Sequence, residues 1–382
     1  MSSKRKTFFI IAGEPSGDIH GAKLVEVLKK RFPDCIVCGI GGDKMNNEGM
    51  ELFFHIEKMA VLGLVEVIKH LPFIKGVFDK LLQEIKDRNP DALILIDYPD
   101  FNINLAKKVK KRISKNIKVF YYISPQIWAW RKNRIKSMEK FVDSMAVVFP
   151  FEEKFYKDSG VNVRFVGHPL LDILIPNYTE EEFLKRNGLK KDSSILSLLP
   201  GSRRQEVERH LPVMIKAAEI IAGEIPDIKI FIGKTQNLPM DLYEKITNLS
   251  DLKPVVTENT YDLMYYSSVV TVSSGTATLE TAIAGTPMVI IYRMAALTHF
   301  VARKLVSLPY IGMANIIHRK KIVPELIQKD ANPKKLAEEL LDILENNNIY
   351  TEMRETLRTT RTLLGEPGAA ERAVDMLNEL IE

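Results

Sequence analysis

Two doubly wound α/β domains in tandem, each a parallel sheet covered by helices on both faces, are the architecture this chain predicts. Three observations carry it. The chain has 382 residues, more than one typical hydrophobic core organises. Short apolar runs alternate with longer amphipathic segments, the rhythm of strand and helix in a parallel sheet. That rhythm breaks once, between about residues 167 and 192, and then restarts.

In the first half the strands fall at residues 8–12, 35–40, 92–96, 118–123, 146–149 and 163–166. Helical patterns such as 22–31 and 103–113 lie between them. The break holds Gly167, His168, Pro169, Pro176 and Asn177, then a polar helix at about 179–187. Strands resume at 195–199, 228–232, 269–272 and 288–291. Helices follow at about 204–221, with a break at Pro212 left open, and at 276–284 and 333–345. The expected division is a first domain over 1–175, a linker over 176–192, a second domain over 193–366 and a last helix over 367–382.

Composition narrows the function classes. The chain is 46% apolar and 27% charged, ordinary for a globular protein. Its formal net charge of +5 is mild but gathered in runs such as 107–112, 131–136 and 318–321. Such runs are usually solvated faces, and here they also suit anionic lipid headgroups or phosphorylated substrates. No nucleic-acid-binding module accompanies them, so no nucleic acid is expected. Two cysteines, Cys35 and Cys38, lie in an apolar run and read as buried strand residues. The apolar run at 8–12 is shorter than a signal-peptide core, and no stretch approaches a membrane span. A cytoplasmic location is the expectation.

Four turns carry the chemistry, each where a strand gives way to a helix. The first holds Gly13, Glu14, Ser16, Gly17 and Asp18. Its glycines allow a tight turn, and Ser16 or Asp18 would cap the helix. It lacks dinucleotide-fingerprint spacing, and its acids would repel a phosphate, so it is assigned to an acceptor. In the second, a buried strand ends in Asp97, followed by Pro99 and Asp100. A partly desolvated Asp97 facing a cleft between the domains suits a general base, with Asp100 or Asn102 capping the helix.

The third turn holds Gly201, Ser202 and Arg203 at the start of the second domain's first helix. Backbone N–H groups there form an anion site, and Arg203 supplies forked donors for a diphosphate. Glu206 would reach back to cap the same helix. The fourth holds Ser274, Gly275, Thr276, Ala277 and Thr278, with Glu280 one turn further along. Hydroxyls at a helix start are more often caps than ligands. Two anion-competent helix starts in one domain favour phosphate binding, and a glutamate at position 280 can accept both ribose hydroxyls. No His/Asp cluster suggests a metal. Residues 60–78, mostly apolar and broken by Pro72, read equally as a core helix or as a surface for acyl chains or a bilayer. Residues 295–310 are a second candidate of that kind.

Several strings together resemble the lipid-A-disaccharide synthase family. They are Ala12 to Asp18, Ile96 to Asn102, Tyr122 to Arg131 (Ser-Pro-Gln-Ile-Trp-Ala-Trp within it), Phe165 to Pro169, Leu199 to Arg203, Ser274 to Glu280 and Met313 to Ile317. The resemblance implies a GT-B fold, two facing Rossmann-like domains with the donor nucleotide on the second and the acceptor on the first, and a last helix that crosses back. It implies an inverting transfer of 2,3-diacylglucosamine from its UDP derivative to 2,3-diacylglucosamine 1-phosphate. The product is a β-1,6-linked disaccharide 1-phosphate, made at the cytoplasmic face of a Gram-negative inner membrane without metal or other cofactor. By resemblance Asp97 is the base, Arg203 with Gly201 and Ser202 holds the diphosphate, residues 274–278 flank it, Glu280 binds ribose, and Asn315 is a functional position of undefined role. An anionic membrane surface is an expected partner, and a homo-oligomer is left open. Other UDP-sugar enzymes of the same fold, an acetylglucosamine transferase or a UDP-sugar epimerase, stand as the alternative. The Trp-Ala-Trp string and residues 60–78 favour the acylated substrate. A non-catalytic membrane-associated binding protein is the rival of a different class.

Overall fold

The computed structural model describes residues 5–58, 64–128, 134–158, 160–294 and 309–382. The chain divides into two compact units, one of residues 1–169 with 364–382 and one of residues 170–363.

In the first unit, strands β1 (Thr7–Ala12), β2 (Ile36–Gly41), β3 (Glu51–His55), β4 (Ala92–Ile96), β5 (Lys118–Tyr122), β6 (Ser144–Val147) and β7 (Val163–Phe165) form one sheet. Its order is β3-β2-β1-β4-β5-β6-β7, with every pair parallel. The helices are α1 (Pro15–Arg31), α2 (Asp43–Asn47), α3 (Leu64–Arg88), α4 (Pro99–Lys108), α5 (Ile135–Phe141) and α6 (Pro150–Lys157). Alternate strand residues feed two cores. Phe9, Ile11, Leu93 and Leu95 pack with Leu81 and Ile85 of α3 on one face. Phe8, Ile10, Ile94 and Phe120 pack on the other with Leu24 and Leu28 of α1. The central strands are buried on both faces, which is why they read as unbroken apolar runs.

The second unit contains α7 (Leu170–Ile173), α8 (Glu180–Arg186), β8 (Ile195–Leu199), α9 (Arg204–Glu224), β9 (Lys229–Gly233), α10 (Met240–Thr247), β10 (Val255–Thr257), α11 (Thr260–Tyr266), β11 (Val269–Ser273), α12 (Thr276–Ala284), β12 (Met288–Tyr292), α13 (Met313–His318), β13 (Glu325–Ile327), α14 (Pro333–Glu345) and α15 (Asn347–Leu363). Its parallel sheet has the order β10-β9-β8-β11-β12-β13. The chain then returns to the first unit, where α16 (Ala369–Ile381) buries Ala370, Ala373, Val374 and Leu377 in the core that holds α1.

Several expectations need correction. Residues 176–192 are part of the second unit rather than a linker, because the Asn177 and Tyr178 N–H groups donate to the buried Asp262 carboxylate at 2.6 and 3.2 Å. Thr179 and Glu182 cap α8 reciprocally. The helix after β8 is not broken at Pro212 but runs on to Glu224. Its buried face, from Val207 to Ile221, stabilises it against the one backbone bond that proline removes. Cys35 and Cys38 are buried free thiols, and burial pushes the Cys38 thiol up to about 12.

Of the apolar segment 60–78, the structure describes side chains only from Pro72 on. There Ile74, Val77 and Phe78 pack against the core, while Phe73 is 38% exposed. Residues 60–63, and residues 295–308 of the second candidate, lie outside the described residues.

Candidate functional site

Each sheet reverses its winding once. In the first, the strands step outward from β1 on one side and from β4 on the other. Ala12 and Ile96 are register partners, so the turns after them leave the sheet side by side. In the second, the reversal lies between β8 and β11, where Leu199 pairs with Val272. Open α/β sheets bind ligands beyond the strand carboxyl ends at such reversals. All four turns singled out from the sequence flank one of these two points.

Asp97 begins the turn after β4. It and Tyr98 have φ of +43° and +47°, the left-handed region that side chains other than glycine rarely occupy. The surroundings impose this conformation. The Asp97 carbonyl accepts from the Tyr121 hydroxyl and, at 2.8 Å, from Asn102 Nδ2. The Asp97 N–H donates to the Ile123 carbonyl at 3.2 Å. Strain held in this way concentrates at functional sites. Burial pushes the Asp97 carboxyl up to about 7, and the negative charge of Glu14 adds to the shift against the Tyr98 N–H, which opposes it. An acid that ionises near neutrality suits a general base.

Neither Asp100 nor Asn102 caps α4, contrary to expectation. Asp100 is exposed and pairs with Arg134, and buried Asn102 donates to the Ile96 and Asp97 carbonyls. Asn102 thus pins the Asp97–Tyr98 turn, a role that only tertiary contacts reveal.

The first turn divides into structural and accessible residues. Asp18 is not open to a ligand. Its buried carboxylate accepts the N–H groups of Gly42, Lys44 and Met45 at 2.7, 3.1 and 3.1 Å and so caps α2. Gly13 lies against the Tyr98 ring, and Gly17 lets α1 approach Ala12 and Ile96. Neither Ser16 nor Asp18 caps α1, whose N-terminal side chain makes no capping bond. Glu14 and Ser16 remain exposed beside Asp97's turn.

In the second unit, Glu206 reaches back as expected, and this changes the anion site. Its Oε2 accepts the Ser202 and Arg203 N–H groups at 3.0 and 3.3 Å, while Oε1 lies 3.5 Å from the Arg203 guanidinium. Gly201, at φ +121°, is confined by the same carboxylate, 2.5 Å from where a Cβ would stand. The Ser202 and Arg203 backbone donors are therefore occupied. The Arg203 side chain, 66% exposed, is the accessible cation of this turn.

The fourth turn is likewise partly used by the fold. Ser274 Oγ donates to the Ile311 carbonyl at 2.9 Å. Thr278 Oγ1 donates to the Gly275 carbonyl and accepts the Met313 N–H, at 2.8 and 3.0 Å. Gly275 and Thr276 are exposed and Ala277 is half-buried. Glu280 has no hydrogen-bond partner among the described residues, and burial pushes its carboxyl up to about 7. Its charge also raises the nearby Tyr261 hydroxyl, after burial, to about 12. A half-buried carboxylate without a partner leaves acceptors that a ligand's donors can meet.

Asn315 makes four bonds within the fold. It donates to the Val323 carbonyl and Glu325, and it accepts the Ile322 and Val323 N–H groups. Its expected place among ligand-binding residues is not supported, since no polar atom remains for a ligand. Glu325, which the sequence reading missed, also accepts the Ile311 and Gly312 N–H groups and so holds the start of α13.

A second missed acid is Glu152, fully buried in α6. It accepts from Ser124 Oγ at 2.6 Å, Trp128 Nε1 at 2.9 Å and the Phe149 N–H at 3.0 Å. Ser124 and Trp128 thus anchor a loop in the interior, so Trp128 does not offer its ring to acyl chains. Ala129, Trp130 and Arg131 lie outside the described residues. Among the described residues no group of three or more His, Cys, Asp or Glu side chains is arranged to hold a metal ion.

The family model for lipid-A-disaccharide synthetase matches residues 8–378. The chain belongs to that family. A lipid-A-disaccharide synthase from Syntrophus aciditrophicus (strain SB) is 44% identical over 379 residues, which is 99% of this chain and 98% of that one. Two solved structures share the fold. A putative UDP-N-acetylglucosamine 2-epimerase from Listeria monocytogenes has a TM-score of 0.68 at 15% identity, covering 100% of this chain and 97% of its own. The calicheamicin glycosyltransferase CalG4 has a TM-score of 0.62 at 13% identity, covering 98% of each chain. At such identity the likeness is one of architecture, the GT-B fold. Membership of the family sets aside the epimerase and acetylglucosamine-transferase alternatives.

Proposed function

We propose that Asp97 is the base, and Arg203 the diphosphate ligand, of a lipid-A-disaccharide synthase reaction. The family's activity is glycosyl transfer from a UDP-sugar. The donor here is UDP-2,3-diacylglucosamine and the acceptor is 2,3-diacylglucosamine 1-phosphate. Asp97 takes the proton from the acceptor's 6-hydroxyl as that oxygen attacks the donor's anomeric carbon. The bond from that carbon to the diphosphate breaks, and UDP leaves with the electron pair. One displacement inverts the anomeric centre and gives a β-1,6 disaccharide 1-phosphate without a covalent intermediate.

The observation that carries this reading is Asp97 itself, a strained, largely buried carboxyl at a winding reversal, poised to ionise near neutral pH. Arg203 supplies the positive charge that the departing diphosphate needs, so the proposal includes no metal. The exposed Gly275 and Thr276 flank the diphosphate, and Glu280 accepts the ribose hydroxyls. Glu14 and Ser16 meet the acceptor.

Among the described residues no helix is long and apolar enough to cross a membrane. Acylated substrates and clustered cations support a peripheral position on the cytoplasmic face of the inner membrane. Incubation with both acylated substrates, followed by product mass, tests the reading. Absence of a disaccharide phosphate overturns it.

A further inference from the structure

His210 belongs to none of the motifs that point to the active site, yet it ties two of the site's strand ends together. It lies two turns into α9 and is fully buried. Its Nδ1 is 2.9 Å from the Pro200 carbonyl, in the turn that carries Arg203. That carbonyl can only accept, so Nδ1 bears the hydrogen. In the neutral form Nε2 is then the acceptor for the Arg293 N–H at 3.0 Å, and it lies 3.3 Å from the Arg293 carbonyl. Burial holds the imidazole pKa below its usual value, which keeps this neutral form in place.

Arg293 is the first residue beyond β12, and β12 is separated from β8 by β11 alone. The Ser274 N–H donates to the Ile291 carbonyl at 3.2 Å, so the turn after β11 is bound into the same assembly. The Tyr292 ring lies 5.6 Å from the His210 ring at a tilt of 45°, and its hydroxyl feels the charges of Glu206, Arg203 and Arg209. The end of β12 therefore lies beside the Arg203 turn. Arg293 is exposed, and its guanidinium has no carboxylate partner among the described residues.

We propose that His210 is a positioning residue of the donor site, locking the Pro200–Arg203 turn to the end of β12 so that Arg293 serves as a second cation for the diphosphate. This rests on the donor-site reading above. Phosphate recognition depends on fixed spacing between donors, and a buried clamp with both nitrogens engaged sets that spacing.

The test uses the full chain and three variants. His210→Leu retains bulk but loses both bonds, His210→Gln retains an amide donor and acceptor, and Arg293→Gln removes the charge. UDP, inorganic pyrophosphate and uridine are titrated calorimetrically, and KM is measured for donor and acceptor. His210→Leu and Arg293→Gln should each weaken UDP and pyrophosphate by about tenfold or more. Uridine affinity and acceptor KM should stay at the parent value, donor KM should rise, and His210→Gln should recover part of the loss. If His210→Leu does not fold, the weaker clamp of His210→Gln carries the same comparison at smaller amplitude.

Parent-like UDP affinity in the His210 variants, or equal loss of UDP and uridine, overturns the clamp. Parent-like affinity in Arg293→Gln overturns the second cation. A parent chain that binds neither UDP nor pyrophosphate overturns the donor-site reading itself, and the clamp's role with it.

Discussion

The Tyr98 ring occupies the space in which a Cβ on Gly13 would stand, with two ring carbons only 2.4 Å from that position. Tyr98 follows Asp97 in the strained turn and packs on Phe101. The glycine of the first turn thus decides where the carboxylate of the second turn can sit. Gly13→Ala must push the ring away and disturb Asp97. A loss of about 1–3 kcal/mol in stability is expected, with a larger fall in kcat than in UDP affinity. Denaturant unfolding and steady-state kinetics check it, and a variant with parent kinetics would detach Gly13 from the catalytic turn.

Asp97 should set the acidic limb of the pH profile. A base must be ionised, so kcat/KM should rise with pH and level off above about 7, the value to which burial and Glu14 raise its carboxyl. Asp97→Ala should abolish turnover while UDP still binds. Glu14→Gln removes the neighbouring charge that helps raise that pKa, and should move the limb to lower pH.

The same shift acts on stability with a definite sign. Asp97 ionises at about 7 when folded, against about 4 in an unfolded chain. Its contribution is therefore full below about pH 4 and is lost as pH rises through about 7. Asp97→Asn escapes this loss. Its melting temperature should exceed the parent's at pH 8 by more than at pH 4, and an equal difference at both would contradict the burial argument.

Arg203→Ala should weaken UDP binding by about 1.5–3 kcal/mol, tenfold to a hundredfold, through loss of a charge-assisted contact. Calorimetric titration reads it directly. Because Glu206 still caps α9, the melting temperature should change little.

Asp18→Ala should behave in the opposite way. Three N–H groups at α2 lose their acceptor, so stability should fall by at least about 2 kcal/mol while UDP affinity holds. Asn315→Leu, which removes four hydrogen bonds, should do the same. A variant of either that stays fully stable but loses activity would restore that residue to the site.

The sequence by itself determined the class of fold and marked the turns proposed to carry the chemistry. Central strands such as β1, β4, β8 and β12 are buried on both faces and read as apolar runs, whereas β3, β10 and β13 at the sheet edges are partly exposed and left no such signal. Turns rich in glycine, hydroxyls and charge at strand ends marked Asp97, Arg203 and Glu280 because local spacing alone sets a strand–turn–helix junction. Tertiary structure decided which of the marked polar groups remain available. Asp18 is consumed by α2, Asn315 by Glu325 and the loop before it, Trp128 by Glu152, and the Ser202 and Arg203 amides by Glu206. A residue's type fixes how many hydrogen bonds it can make, but its partner is whichever group folding brings beside it, and most of these partners lie tens of residues or at least a full turn away along the chain.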